Sequence, residues 1–233
     1  MNKQTVELFS GERSFSKIAE KKGYKTFCVE INPNQKADSH KNILELEPKE
    51  LPQDVFALWA SVPCTTFSVA SLFHYWSNGR PKHWKTHIGL ALLLKTLLLI
   101  KKIKPKFWFI ENPRGMMRKQ DCMLPLHRKT VTYCQYGDFR MKPTDIWTNL
   151  KSWTPRPMCK NGDTCHESAR SGERSGTQAM GNGKDGAILR SLIPEQLLHE
   201  IFEAMENSLL SGWNNKNIDQ EVEYIQGTLN MVR

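Results

Sequence analysis

The sequence predicts an α/β domain built on a largely parallel central sheet, and three observations lead there. Short β-like runs alternate with helix-like stretches through the first two-thirds of the chain, the pattern that strand–helix–strand units leave in a sequence. Two of those runs, Val55 to Ser61 and Phe107 to Ile110, are apolar almost throughout, as buried strands are. The run Val6 to Phe9 leads directly into Ser10-Gly11 and a helix-like stretch. In open α/β sheets such a turn lies at the ligand crevice.

Taken in order, Val6 to Phe9 reads as the first strand, and Phe15, Ile18 and Ala19 mark the helix after it. Phe27 to Ile31 is the second strand, and Val55 to Ser61 is a buried strand that Pro63 breaks. His87 to Ile103 is the clearest helix, with lysines gathered near its C-terminal end where they suit the helix dipole. Phe107 to Ile110 is a further strand, stopped by Glu111-Asn112-Pro113. Val131 to Cys134 and Asp145 to Thr148 read as a hairpin-like pair. Residues 1–150 thus form the core. From Ser152 the composition shifts to Pro155, Pro157 and repeated glycines with few aliphatics, so 151–189 reads as a loop-rich region. Within 190–213, Leu197, Leu198, Ile201 and Met205 define a last helix from Pro194 to about Leu209, and 214–233 is a polar tail.

The formal net charge of +9 implies an anionic partner, with nucleic acid ahead of an acidic membrane surface. Six scattered cysteines fit reduced thiols, not a disulfide scaffold. The apolar run from Ile88 to Ile100 contains Lys95 and is too short to span a bilayer, and no signal-peptide pattern opens the chain. A cytoplasmic protein with no membrane association, monomeric in action, is expected.

Three segments carry chemistry. Glycine at position 11 lets backbone approach a ligand, and Glu30, at the end of the second strand, is placed to accept from ribose hydroxyls, so a nucleoside-containing cofactor is implied. Pro63 before Cys64 presents a thiol at the sheet's carboxyl edge, where a helix start and basic residues would favour thiolate. Glu111 at the next strand end is a carboxyl positioned to hold or deliver a proton in the same crevice.

V-E-L-F-S-G at 6–11, V-P-C-T-T-F-S at 62–68 and I-E-N-P at 110–113, in that order, resemble the DNA cytosine-5 methyltransferases, whose patterns are D-L-F-x-G, P-C with a following F-S, and E-N-V. The resemblance implies a Rossmann-like, class I S-adenosylmethionine-dependent methyltransferase with a reduced target-recognition region at 151–189. It implies that Cys64 adds to C6 of a cytosine flipped out of DNA, while Glu111 engages the ring. Phe9, Ser10, Gly11, Glu30, Ile31, Asn42, Ile43, Pro63 and Ser191 would then hold S-adenosylmethionine. Ser68, Arg80, Lys82, His83, Arg114 and Arg140 would meet DNA, with Tyr75 or Trp76 supporting the displaced strand. An RNA cytosine-5 methyltransferase acting on tRNA, or a weakly active DNA-binding relative, remains an alternative on these motifs.

The chain departs from the family at several places. Arg140, Lys142 and Thr144 stand where the family has Gln, Arg and Arg, so Lys142 and Thr144 become the candidate catalytic residues there. Asn42 replaces an Asp, and Ser191 an Asn; M-G-N-G at 180–183 is a competing match for the latter segment. Finally, Cys159, Cys165 and His166, with Cys134 or Cys122 as a fourth ligand, form a candidate structural zinc site.

Overall fold

A computed structural model describes residues 3–160, 162–166 and 184–212. The competing 180–183 match and the polar tail from 214 lie outside the described residues.

The elements run β1 (Gln4–Leu8), α1 (Ser14–Lys21), β2 (Lys25–Val29), β3 (Val55–Ser61), the single-turn α2 (Leu72–Tyr75), β4 (Trp76–Ser77) and β5 (Arg80–Pro81). They continue with α3 (Trp84–Ile103), β6 (Phe107–Pro113), β7 (Arg128–Thr132), β8 (Pro143–Thr148), α4 (Lys184–Ser191) and α5 (Glu195–Leu210). Six strands form one sheet in the order β2-β1-β3-β6-β8-β7. The pairs β1–β2, β1–β3 and β3–β6 are parallel, whereas β8 runs antiparallel between β6 and β7. The chain therefore leaves β1 towards one edge and returns past it to β3. That reversal opens a crevice beyond the carboxyl ends of β1 and β3.

Strand alternation explains why the central runs are apolar throughout. In β6, Phe107 and Phe109 face one layer and Trp108 and Ile110 the other; in β3, Trp59 and Leu58 divide in the same way. One layer contains Phe15 and Ile18 of α1 with Leu197, Ile201 and Phe202 of α5, and Phe15 stacks between Trp59 and Phe202 at ring-centroid distances of 5.4 and 5.0 Å. Leu93, Leu97 and Ile100 of α3 fill the opposite layer.

Several boundaries differ from the sequence reading. β2 lies two residues earlier because Asp38 and Ser39 take over its end: Cys28 N donates to Asp38 Oδ2 at 2.7 Å and Glu30 N to the Ser39 carbonyl at 3.0 Å. β6 continues to Pro113 because β8 pairs with it through Glu111↔Ile146 and Pro113↔Thr144. α3 begins at Trp84, capped by His83, whose Nδ1 accepts from Lys85 N at 3.1 Å. The stretch from Ser152 to Lys160 is a strap along α5: Trp153 is buried and donates to Glu200 at 3.1 Å, and Arg156 reaches Glu200, Gln196 and the Gln135 carbonyl.

Candidate active site

The β1–α1 turn is wound tightly, with Phe9 (φ 57°) and Gly11 (φ 43°) in left-handed conformations. A phenylalanine held there stores strain, a feature that clusters at ligand sites. Glu7 of β1 reaches under the turn and accepts from Phe15 N at 3.2 Å and Ser16 N at 2.8 Å, capping α1 from below. Burial pushes the Glu7 carboxyl up from its ordinary 4.5 to about 7, against the opposing pull of those hydrogen bonds. Glu30 closes the turn from the side, accepting from Gly11 N and from Asn32 N, each at 3.0 Å. Asn42 caps the next turn through an Oδ1 contact to Leu44 N of 3.1 Å, which leaves a second lone pair. Phe9, Glu30, Ile31, Asn42, Ile43, Pro63, Ile88 and Leu92 line a chamber of about 330 Å³.

A second chamber of about 380 Å³ adjoins it and shares Phe9, Ser61 and Pro63. Here the strand ends bring together Ser10, Gly11, Cys64, Glu111 and Lys142, with Arg190 and Ser191 closing the far side. Cys64 is solvent-accessible in the wall of this cleft. Desolvation pushes its thiol up; Lys142 and Arg190 pull it down and Glu111 adds to the rise.

Glu111 is buried and accepts from the Tyr133 hydroxyl at 3.1 Å, with Lys142 Nζ 3.9 Å away. Burial, then the Glu111 charge, push the Tyr133 phenol well up, so it stays a donor. Lys142 is held from two sides: its ammonium donates to the Arg190 carbonyl at 3.0 Å and lies 4.6 Å from the centre of the Tyr133 ring.

Other expected residues are placed differently. Thr144 is fully buried and its hydroxyl donates to the Lys142 carbonyl at 3.3 Å, so it supports the cleft from behind. Arg140, expected at DNA, is buried: it pairs with Asp138 and donates to the carbonyls of Leu189 (2.7 Å) and Leu192 (3.4 Å). Its guanidinium holds the link between α4 and α5 to the core. Tyr75 and Trp76 are also buried, the latter donating to the Thr66 carbonyl at 2.6 Å, so neither offers a stacking face. The exposed aromatics of this segment are Phe73 and Trp84. Arg80, Lys82 and Arg114 are exposed, whereas His83 is committed to capping α3. Ser68 is half-buried against Ser71 at 3.1 Å. Tyr133, Glu7 and Arg190 were not singled out from the sequence. The signal for Arg190 was its position beside Ser191, and for Glu7 its place inside the first motif.

This topology, with a glycine turn at β1 and a thiol and a carboxylate at the ends of β3 and β6, defines a class I methyltransferase. The sequence profile described as C-5 cytosine-specific DNA methylase matches residues 4–130. A frog virus 3 (isolate Goorha) protein named "Probable DNA (cytosine-5)-methyltransferase" is 30% identical over 216 residues, covering 85% of this chain and 98% of that protein. The chain belongs to the C-5 cytosine-specific DNA methylase family and is an enzyme of the DNA (cytosine-5)-methyltransferase class. Among solved structures, a prophage-encoded E. coli protein described as a "putative DNA modification methyltransferase" is similar at 14% identity, TM-score 0.46, over 62% of this chain and 45% of that one. S. pombe Dnmt2 methyltransferase is similar at 15% identity, TM-score 0.37, over 62% and 48%. The chain thus spans less than half the length of either structure.

Proposed function

We propose that this enzyme methylates C5 of cytosine in DNA through a covalent Cys64 adduct, with S-adenosylmethionine as donor. The observation that carries the reading is the meeting of Cys64, Glu111 and Lys142 in one cleft whose wall is shared with the Glu30 chamber.

The residues present fit the donor. Ser10 Oγ is buried in the cleft wall with no partner among the described residues, a polar atom in want of a ligand. Each Glu30 oxygen accepts one backbone N–H and retains capacity for a ribose hydroxyl. Ile31, Ile43, Pro63, Ile88 and Leu92 offer apolar walls to a purine, and Asn42 an acceptor to its amine. When bound, S-adenosylmethionine supplies an electrophilic methyl group.

Cytosine C5 is too weak a nucleophile to take that methyl unaided. The Cys64 thiolate forms a bond to C6, and the displaced π electrons enrich C5. Glu111 accepts from the exocyclic amine and, with a proton taken up from solvent, donates that proton to N3 as electrons enter the ring, while the Tyr133 hydroxyl donates to its Oε1. Lys142 lowers the cost of ionising the Cys64 thiol, whose proton passes to solvent before attack. Once C5 carries the methyl, its proton passes to solvent, the C6–S bond breaks, the thiolate returns and N3 gives its proton back through Glu111. The base cannot be reached while stacked, so it must leave the duplex. Exposed Arg80 and Lys82, in and just after β5, supply phosphate contacts.

Duplex DNA containing 5-fluorocytosine tests this directly, because the fluorine blocks the final elimination. A covalent adduct with the native chain and none with Cys64→Ser is expected. An adduct that survives Cys64→Ser, or labelled-methyl transfer to tRNA and none to duplex DNA, would overturn the reading.

A further inference from the structure

Away from the cleft, four potential metal ligands converge where the strap meets the turn that follows β7. The ligand atoms of Cys134, Cys159, Cys165 and His166 all lie within 4.8 Å of one another. We propose that these four residues form a structural zinc site that clasps the strap to the turn carrying Tyr133.

The distances are those of a coordination shell. Ordinary Zn–S and Zn–N bonds in a tetrahedron place neighbouring ligand atoms about 3.5–3.8 Å apart. Cys165 Sγ is 3.7 Å from Cys134 Sγ and 3.6 Å from His166 Nδ1, and Cys159 Sγ is 3.8 Å from the same nitrogen. The Cys134–Cys159 separation, 3.0 Å between sulfurs, is shorter and opens slightly around an ion. Supporting contacts are in place: Gln135 Nε2 donates to Cys165 Sγ at 3.3 Å, and Cys159 N to Thr132 Oγ1 at 3.1 Å. Cys122, the other fourth ligand considered from the sequence, lies in the opposite apolar layer with Met116, Met117 and Met123, so Cys134 fills that role.

The chemistry selects zinc. Three thiols and one imidazole suit a borderline-soft ion that takes four ligands with no open position, which is a structural arrangement. Binding releases three thiol protons to solvent and leaves three thiolates and a neutral histidine around the ion. The site has a structural task, because residues 152–160 and 162–166 contain no helix or strand. Cys134 adjoins Tyr133, whose hydroxyl holds Glu111, so the clasp also fixes a support of the cleft.

The test is elemental analysis of the full, untagged chain purified without chelators. One zinc per chain is expected, retained in Cys122→Ser and lost in Cys159→Ser. Should Cys159→Ser fail to fold, cobalt exchanged into the native chain decides: intense visible bands of a tetrahedral ion and a sulfur-to-cobalt charge-transfer band are expected. Metal-free native chain that shows no such bands with cobalt, zinc that persists in Cys159→Ser, iron or copper in its place, or a Cys134–Cys159 disulfide found by mass spectrometry would each overturn the assignment.

Discussion

Asn112 Nδ2 donates to the Val62 carbonyl at 2.7 Å, so the strand bearing Glu111 holds the loop that bears Cys64. Asn112 is fully buried, and Asn112→Ala leaves that carbonyl without its donor. The expected cost is about 1–3 kcal/mol of stability, read as a lower denaturant midpoint. Methyl transfer should fall further than cofactor affinity, because thiol and carboxylate lose their common reference while the Glu30 chamber is untouched. Unchanged turnover would show that the two strand ends keep their spacing without this bond.

A second tie lies just beyond. Met116 N donates to the Phe67 carbonyl at 2.7 Å, and a Cβ at Gly115 would sit 2.0 Å from that oxygen. Gly115→Ala must therefore push the Cys64 loop outward. We expect a loss of about 1–3 kcal/mol, as for other overpacked sites. Adduct formation with 5-fluorocytosine DNA should slow in parallel.

Tyr133 acts through Glu111. Tyr133→Phe removes the 3.1 Å donor and keeps the ring that Lys142 packs against. Turnover should drop about tenfold, the scale of one hydrogen bond to a charged group. The KM for the methyl donor should stay level, a split that general destabilisation would not produce.

The buried Glu7 makes stability depend on pH. Its carboxyl, raised to about 7 from 4.5, binds a proton more tightly in the folded chain than in the unfolded one. The stability this confers is complete below the unfolded value and is lost as pH rises through about 7. From about pH 5 to about pH 8 the unfolding free energy should fall by on the order of 3 kcal/mol. Glu7→Gln should flatten that slope in urea titrations taken across the range. A slope equal to that of the native chain would assign the proton elsewhere.

Arg80 and Lys82 are exposed on the segment that follows the Cys64 loop. Replacing both with alanine should weaken DNA binding uniformly across sequences and reduce the slope of log affinity against log salt by about 2. An unaltered slope would place the DNA backbone on another face.

The strand-end residues were legible because parallel strands buried on both faces appear as apolar runs, and whatever follows such a run stands at the sheet's carboxyl edge. Cys64, Glu111 and Glu30 were found that way, while Phe9 and Pro63 as cofactor residues came from the family resemblance. Tyr133 and Arg190, supplied by other elements, were not singled out, although Lys142, Ser191 and Asn42 were. Tyr133 looks like an ordinary strand aromatic, and only the antiparallel insertion of β8 puts its hydroxyl on Glu111. Arg140 shows the opposite failure: a basic residue invites a phosphate, but Asp138 two positions earlier and two distant carbonyls had already claimed its donors. Tyr75 and Trp76 were misjudged for a similar reason. An aromatic in a polar segment suggests an exposed ring, while the indole N–H was taken by a carbonyl of the preceding loop.

The partition formed by Phe9, Ser61 and Pro63 has a side for each occupant. Pro63 adjoins Cys64 directly in the chain, so under the proposed function a donor on one side and an extruded base on the other would rest against the same few atoms. Thermodynamic reciprocity then makes the influence mutual and equal: whatever factor the donor imposes on retention of the extruded base, the base returns to the donor. Spent donor left in place should tighten binding of the product by the same factor as the product tightens binding of the spent donor.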